Sequence, residues 1–447
     1  MNSSSESCGE AVPGSFAAFV RGRAADGELV VQPRMGFATT QQMRAGLLAV
    51  RAVHAPAVGT ITLDSYTRLG DHASADHALR RGTQLNGFPL VVHGAQATRR
   101  MLDGVVGPQF PVQVRHGSSR PYDIFATLLE AGIEATEGGP VSYCLPYSRT
   151  PLADSVDEWR RSCELLRSGD GPERAAHLES FGGCLLGQLC PPGLLVAVSL
   201  LEGLFFARCG VRSLSLSYAQ QPDEEQNVEA VAALRALASH HLPDLDWHVV
   251  LYTYMGVYPR TWPGAMRLLA SSARLAVRTG AERLVVKTVA EAHGIPTVAD
   301  NLHSLRLATD VAAAERTVIA ESGGTGAGSV PDTGILAEAT ALVGAVLALH
   351  DDVGTALRLA FRDGLLDVPY CLHPDNHNES QAALGEDGRL RWVSTGRMPI
   401  AGLTERSGAR AVSAASLLEM LTHVERSCDG RLPHRSAPLP VPGRGDH

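Results

Sequence analysis

The sequence predicts an α/β fold: a (β/α)8 barrel of the TIM type with a C-terminal helical and irregular extension. Two observations carry this. Eight short β-rich runs occur along the chain, most of them continuously apolar or β-branched, as strands buried on both faces are. Helical patterns stand between them, and that alternation builds a parallel sheet covered by helices. A doubly wound open sheet is the alternative arrangement of the same elements.

The runs fall at 29–31, 59–63, 89–92, 111–114, 133–136, 213–217, 247–252 and 283–286. Helical patterns cover 40–53, 122–131, 154–167, 224–239 and 265–279. After Thr297 the chain turns Ala/Leu-rich and helical to about Phe361, interrupted by the glycine-rich loop at 323–329. That loop lacks the Gly-Lys-Ser/Thr ending of a phosphate cradle and reads as a flexible connection. The expected organisation is a flexible N-terminal segment (1–27), the barrel (28–361), an appended region (362–432) and a Pro/Arg/Gly-rich disordered tail (433–447).

Composition narrows the function. The 447 residues are 45% apolar, ample for a large core. Net charge is −8, which argues against a strongly basic nucleic-acid surface. The longest apolar stretch, 193–207, is broken by Glu202 and is too short to span a bilayer. The first ten residues lack the basic and apolar regions of a secretory signal. The eight cysteines are scattered, with no Cys-x-x-Cys, and read as reduced thiols of a cytoplasmic protein. No His-Glu-x-x-His or Cys/His spacing predicts a zinc site, so no metal ligands are expected in this chain.

The strand ends hold the chemistry, because a barrel builds its site at the C-terminal ends of its strands. Arg34, Arg68 and Arg115 each follow such a run. Three guanidinium groups meeting in one space repel unless an anion joins them. Their natural partner is a phosphate, or a small molecule with two carboxylates gripped by bidentate forks. Glu137 ends another run and would suit a ligand ammonium, so the set suggests an amino dicarboxylic acid. Tyr143 and Tyr147 follow and could donate hydroxyls to a carboxylate. Blander readings stand beside these: each arginine in its own ion pair, Glu137 paired with one of them, the tyrosines in the core. Lys287 is the only lysine among 39 cationic residues and ends the last run. A lone lysine suggests a position needing a compact ammonium with a tunable pKa. With Glu291 four residues on, it forms either an ordinary i,i+4 pair or a pair suited to the two hydroxyls of a ribose.

Several runs together resemble the large (epsilon) subunit of glutamate mutase, also called methylaspartate mutase. They are Gln32-Pro-Arg-Met-Gly36, Leu63-Asp-Ser-Tyr-Thr-Arg68, Leu85-Asn-Gly-Phe-Pro89, Arg115-His-Gly117, Thr136-Glu-Gly-Gly-Pro-Val-Ser-Tyr-Cys-Leu-Pro-Tyr147, Tyr254-Met-Gly-Val-Tyr-Pro259 and Val286-Lys-Thr-Val-Ala-Glu-Ala-His-Gly-Ile-Pro-Thr297. The resemblance covers about 28–400 and departs at Tyr252, where histidine is expected, and at His93, where phenylalanine is expected. It implies a TIM barrel capped by adenosylcobalamin, with the cobalt ligated by a separate small (sigma) subunit. The implied activity is that of an isomerase, a radical mutase interconverting L-glutamate and (2S,3S)-3-methylaspartate. By this resemblance Arg34, Arg68, Arg115, His116, Glu137, Tyr143 and Tyr147 bind substrate, with Arg115 and Glu137 catalytic. Lys287 and Glu291 hold the adenosyl ribose, and Gly36, Asn86, Pro146, Tyr258 and Ile295 touch the coenzyme. A dimer of heterodimers is implied, with no nucleic acid and no membrane as partner.

The run Asp375-Asn-His-Asn-Glu-Ser380 is similar to the cobalamin-ligand motif Asp-x-His-x-x-Gly, but serine replaces the glycine, and the motif is set aside. Two competing functions remain open: a Schiff-base lyase or aldolase using Lys287 as nucleophile, and a non-catalytic barrel that binds an amino dicarboxylate.

Overall fold

A computed structural model describes residues 14–168, 176–322, 330, 332–404 and 412–430. Eight parallel strands form the central sheet: β1 (Val30–Pro33), β2 (Gly59–Thr62), β3 (Val112–Arg115), β4 (Ala135–Gly138), β5 (His177–Ser180), β6 (Ser213–Ala219), β7 (Asp246–Tyr252) and β8 (Arg283–Val286). Each pairs with its sequence neighbour from β2 to β8, and β1 pairs with β8. The seam between β1 and β2 is held by a bridge from Val31 to Ala57 and by a hydrogen bond from the Thr62 amide to the Met35 carbonyl (2.8 Å). Pro33 lies between these contacts and has no N–H to donate, so the ladder is interrupted there. The result is a nearly closed (β/α)8 barrel.

Two strand expectations need correction. The run 89–92 is no strand; it opens the helix Leu90–Leu102. The chain touches the sheet edge only through the Leu63–Phe88 bridge, and Pro89 then lacks the amide that further pairing requires. The true fifth strand is His177–Ser180, which apolar patterning missed. Its alternate side chains, His177 and Glu179, belong to a buried polar network rather than an apolar layer. His177 bonds the Ser213 and Ser215 hydroxyls, and Glu179 pairs with the fully buried Arg283.

The segment 1–27, expected to be flexible, contains the helix Phe16–Ala25. Phe16, Phe19 and Val20 share one face by helical spacing and are buried. Phe16 stacks on His177 at 4.9 Å, and the Arg283 guanidinium lies 5.1 Å from its ring centre. This helix therefore closes the N-terminal end of the barrel. The loop at 323–329 and the tail at 433–447 lie outside the described residues.

The stretch 193–207 lies in the helix Pro192–Arg208, which is buried from Pro192 to Phe206 and packs against the barrel. Among the described residues no helix is long and apolar enough to cross a membrane. The helices Val298–Glu321, Ile335–Leu347 and Val353–Asp363 follow β8. An antiparallel hairpin, β9 (Ser380–Leu384) and β10 (Leu390–Thr395), comes next. It is anchored by paired bonds between Gln226 and the Leu390 backbone (2.9 and 3.0 Å) and by Trp392 donating to Glu338 (3.0 Å). In the 375–380 run, His377 Nε2 lies 2.7 Å from the Arg362 carbonyl and Asp375 accepts from the Leu152 amide (2.7 Å). Those side chains tie the extension to its neighbours.

Candidate active site

The C-terminal ends of the strands surround a cavity of about 290 Å³. Its wall includes Arg34, Arg68, Asn86, Arg115, His116, Glu137, Tyr143 and Tyr147, together with Thr62, Leu63, Ser65, Gly117, Phe181 and Met255. The three arginines thus converge on one space.

Each is delivered by a different element. Arg34 directly follows β1. Arg68 stands on the short helix Ser65–Leu69, whose N-terminal amides at Tyr66 and Thr67 are capped by Asp64 (2.9 and 3.1 Å). The Asn86 side chain accepts from the Ser65 amide (3.0 Å) and fixes the start of that helix. Gly117, at φ +68°, lets the backbone turn under the Arg68 stem, where a Cβ would lie 2.9 Å from Arg68 Cδ. Arg115 is the last residue of β3 and is almost wholly buried. Its guanidinium lies 5.1 Å from the Tyr252 ring centre and 6.0 Å from that of Phe181, distances suited to cation–π attraction.

The electrostatics divide the arginines. Arg115 Nη2 lies 3.6 Å from Glu137 Oε2, and Arg34 Nη1 donates to Glu291 Oε2 at 3.2 Å. Arg68 has no ion-pair partner among the described residues. The Nε atoms of all three are buried without a hydrogen-bond partner, as is Glu137 Oε2. Such groups are costly to leave unmet. Glu137 Oε1 accepts from the Tyr143 hydroxyl and from the His116 amide (3.2 Å). Burial pushes the Glu137 carboxyl above its usual range, with Arg115 pulling the other way.

His116 stacks on Trp159 (5.7 Å) and meets Tyr143 and Phe125 edge-on. Burial lowers its pKa to about 3, so it is neutral near pH 7. Its Nδ1 accepts from the Ser118 amide (3.0 Å), which places the proton on Nε2, and that atom has no partner.

Of the remaining residues singled out in the sequence, Lys287, Glu291 and Tyr258 form a second cluster beside the cavity, joined to it through Arg34. Lys287 Nζ lies 3.6 Å from Glu291 Oε2 and 4.9 Å from the Tyr258 ring centre. The chain turns as a short 3-10 helix at Val289–Ala292, which brings the pair together. Burial lowers Lys287 to about 8, although Glu291 opposes the shift. The Tyr258 hydroxyl is buried without a partner. Gly36, Pro146 and Ile295 do not line the cavity. A Cβ at Gly36 would collide with the Thr62 carbonyl, so glycine there lets β1 approach β2; Pro146 is half-buried and Ile295 is exposed. Among the described residues, no group of three or more His, Cys, Asp or Glu side chains could hold a metal ion.

Sequence reasoning missed Phe181 because it follows the unrecognised β5. It also missed what lies beneath Arg115. The Tyr252 hydroxyl donates to Glu179, which Arg283 and Gln113 also hold. Burial raises the Glu179 carboxyl, but Arg283 and Tyr252 outweigh it and keep it below its ordinary range. His93 is structural: its Nε2 lies 2.8 Å from the Ala38 carbonyl and its ring stacks on Phe88.

The family model described as methylaspartate mutase E chain (MutE) matches residues 13–419. The glutamate mutase epsilon subunit of Halobacterium salinarum is 32% identical over 77% of this chain and 73% of its own length. The protein of the same name from Haloarcula marismortui is 32% identical over 74% of this chain and 68% of its own. That of Escherichia coli O157:H7 is 28% identical over 76% and 72%. The chain belongs to the methylaspartate mutase E chain family.

Proposed function

We propose that this mutase large subunit interconverts L-glutamate and (2S,3S)-3-methylaspartate with adenosylcobalamin, and that residues 28–361 carry the reaction. The observation that supports this most is the cavity with three arginines and one carboxylate, whose buried Nε and Oε2 atoms lack hydrogen-bond partners among the described residues. Two ligand carboxylates would satisfy the arginines, and a ligand ammonium would meet Glu137. Arg68, which has no acid of its own among the described residues, gains most from the ligand.

The chain's own contribution is positioning. Bidentate forks hold both acid ends of the substrate while its skeleton rearranges, so fragments stay within bonding reach. Neutral His116 offers its Nε2 proton to a carboxylate. Glu137 holds or accepts a proton of the substrate ammonium at Oε2. With the coenzyme and small subunit covering the mouth, the wall would keep water away from reactive species.

The residues beside the cavity fit the coenzyme's adenosyl group. Lys287 and Glu291 can donate to and accept from two ribose hydroxyls, and the unpartnered Tyr258 hydroxyl is available at the same place. Bound adenosylcobalamin would supply the radical chemistry. The cobalt ligand belongs to the small sigma subunit in this reading, and two large and two small subunits make the working assembly.

A Schiff-base lyase is the second reading, favoured by the lowered pKa of buried Lys287. Two experiments on the full chain decide. Calorimetry should show L-glutamate binding, with butyrate, which lacks one carboxylate and the amine, not bound. Borohydride added with 2-oxoglutarate, a dicarboxylate whose ketone can form an imine with a lysine, should leave Lys287 unlabelled. Labelling of Lys287, or equal binding of butyrate, would overturn the proposal.

A further inference from the structure

Glu202 is the one charged residue of the helix Pro192–Arg208 before its terminal Arg208, and it is fully buried. No cation pairs with it among the described residues. Its carboxylate instead accepts four hydrogen bonds. The Val141 and Ser142 amides donate to Oε1 (3.0 and 2.8 Å), the Ser142 hydroxyl donates to Oε2 (2.9 Å), and the Ser180 hydroxyl shares its one proton between Oε2 (3.3 Å) and the Ser199 carbonyl (2.9 Å). Gly139 lies against the same carboxylate, where any Cβ would collide with it. Burial pushes the carboxyl up to about 7, with the Ser142 donors opposing.

What Glu202 holds is the turn that follows β4. That turn carries Tyr143, whose hydroxyl meets Glu137, and Tyr147, which lines the cavity. The bond from Ser180, the last residue of β5, ties the turn to the neighbouring strand. The donors to this carboxylate come from the turn and from β5, none from its own helix, so the carboxylate serves the turn rather than the helix.

We infer that Glu202 is a positioning residue: it sets the turn at 139–147, and through Tyr143 and Tyr147 one wall of the amino dicarboxylate site. The consequence for ligand binding rests on the function proposed above; the placement of the turn does not.

The test compares Glu202→Leu and Glu202→Gln in the full chain by hydrogen exchange and by L-glutamate calorimetry. Glu202→Gln keeps an oxygen for the two amides and should behave as the parent in both. Glu202→Leu strands both amides, so exchange in the peptide covering 139–147 should rise about tenfold or more, with β7 unchanged. Glutamate affinity should fall by a similar factor. The inference is overturned if that peptide exchanges at the parent rate, if exchange rises equally throughout, or if it rises locally while glutamate binds as before. If the parent chain binds no L-glutamate, the proposed function fails, and the exchange contrast alone still decides the role of Glu202. If Glu202→Leu does not fold, Ser142→Ala removes one donor with little change of volume. A smaller local rise is then expected, and its absence overturns the inference.

Discussion

Arg115→Lys tests the arginine clamp with the least collateral damage. Arg115 is buried beside Glu137, and removing its charge would leave that carboxylate uncompensated. Breaking a buried pair that way is destabilising by about 3–5 kcal/mol, which would hide any effect on binding. Lysine keeps the charge but loses the fork, so one of two parallel charge-assisted bonds to the ligand carboxylate is lost. A hydrogen bond to a charged group contributes about 1.5–3 kcal/mol net. At about 1.4 kcal/mol per decade, L-glutamate affinity should fall roughly 10- to 150-fold. Calorimetry on the full chain measures the affinity, and thermal unfolding verifies that the variant is folded. An unchanged Kd in a folded variant would refute the clamp.

Three further outcomes follow from the buried groups. Arg283→Met strands Glu179 in the barrel interior and should reduce stability by about 3–5 kcal/mol in urea unfolding; adding Glu179→Gln should recover most of the loss, and a single-variant effect below about 1 kcal/mol would contradict the pairing. Phe16→Ala should cost about 3–5 kcal/mol because that ring packs on His177 and Arg283 at the barrel floor; no change would mean that the helix Phe16–Ala25 is not integral. His116 has a folded pKa of about 3 against an ordinary 6.5, so between these values the unfolded chain binds more protons. Its contribution to stability is full above pH 6.5 and is lost as pH falls toward 3. The stability of the parent relative to His116→Gln should therefore fall by about 1.4 kcal/mol per pH unit from pH 6 to 4.5, and parallel curves would contradict the neutral assignment.

The barrel and its mouth were legible in the sequence for a physical reason. Strands such as Val112–Arg115 and Arg283–Val286 are apolar on the face that meets the outer helices, and their charged ends mark where the sheet stops and the site begins. The order along the chain therefore placed Arg34, Arg68, Arg115 and Glu137 at one end before any geometry was known. What stayed hidden has the opposite character. His177–Ser180 is largely polar because its partners, Arg283 on β8 and the serines of the adjacent β6, are far away in sequence. The run 89–92 is apolar enough for a strand, and only the missing amide of Pro89 decides otherwise. Glu202 looked like a break in an apolar run; its four donors come from 141, 142 and 180, which no local pattern connects. The pair Lys287 and Glu291 was readable as a pair, but its link to Arg34 spans the closure of the barrel.

The most direct test of the central claim is turnover by the reconstituted assembly. The full chain is combined with a cobalamin-binding small subunit, adenosylcobalamin and L-glutamate, and the mixture is followed by NMR. Formation of 3-methylaspartate, abolished when either chain is omitted, is the predicted result. No product, with a small subunit that is active beside another large subunit, would contradict it.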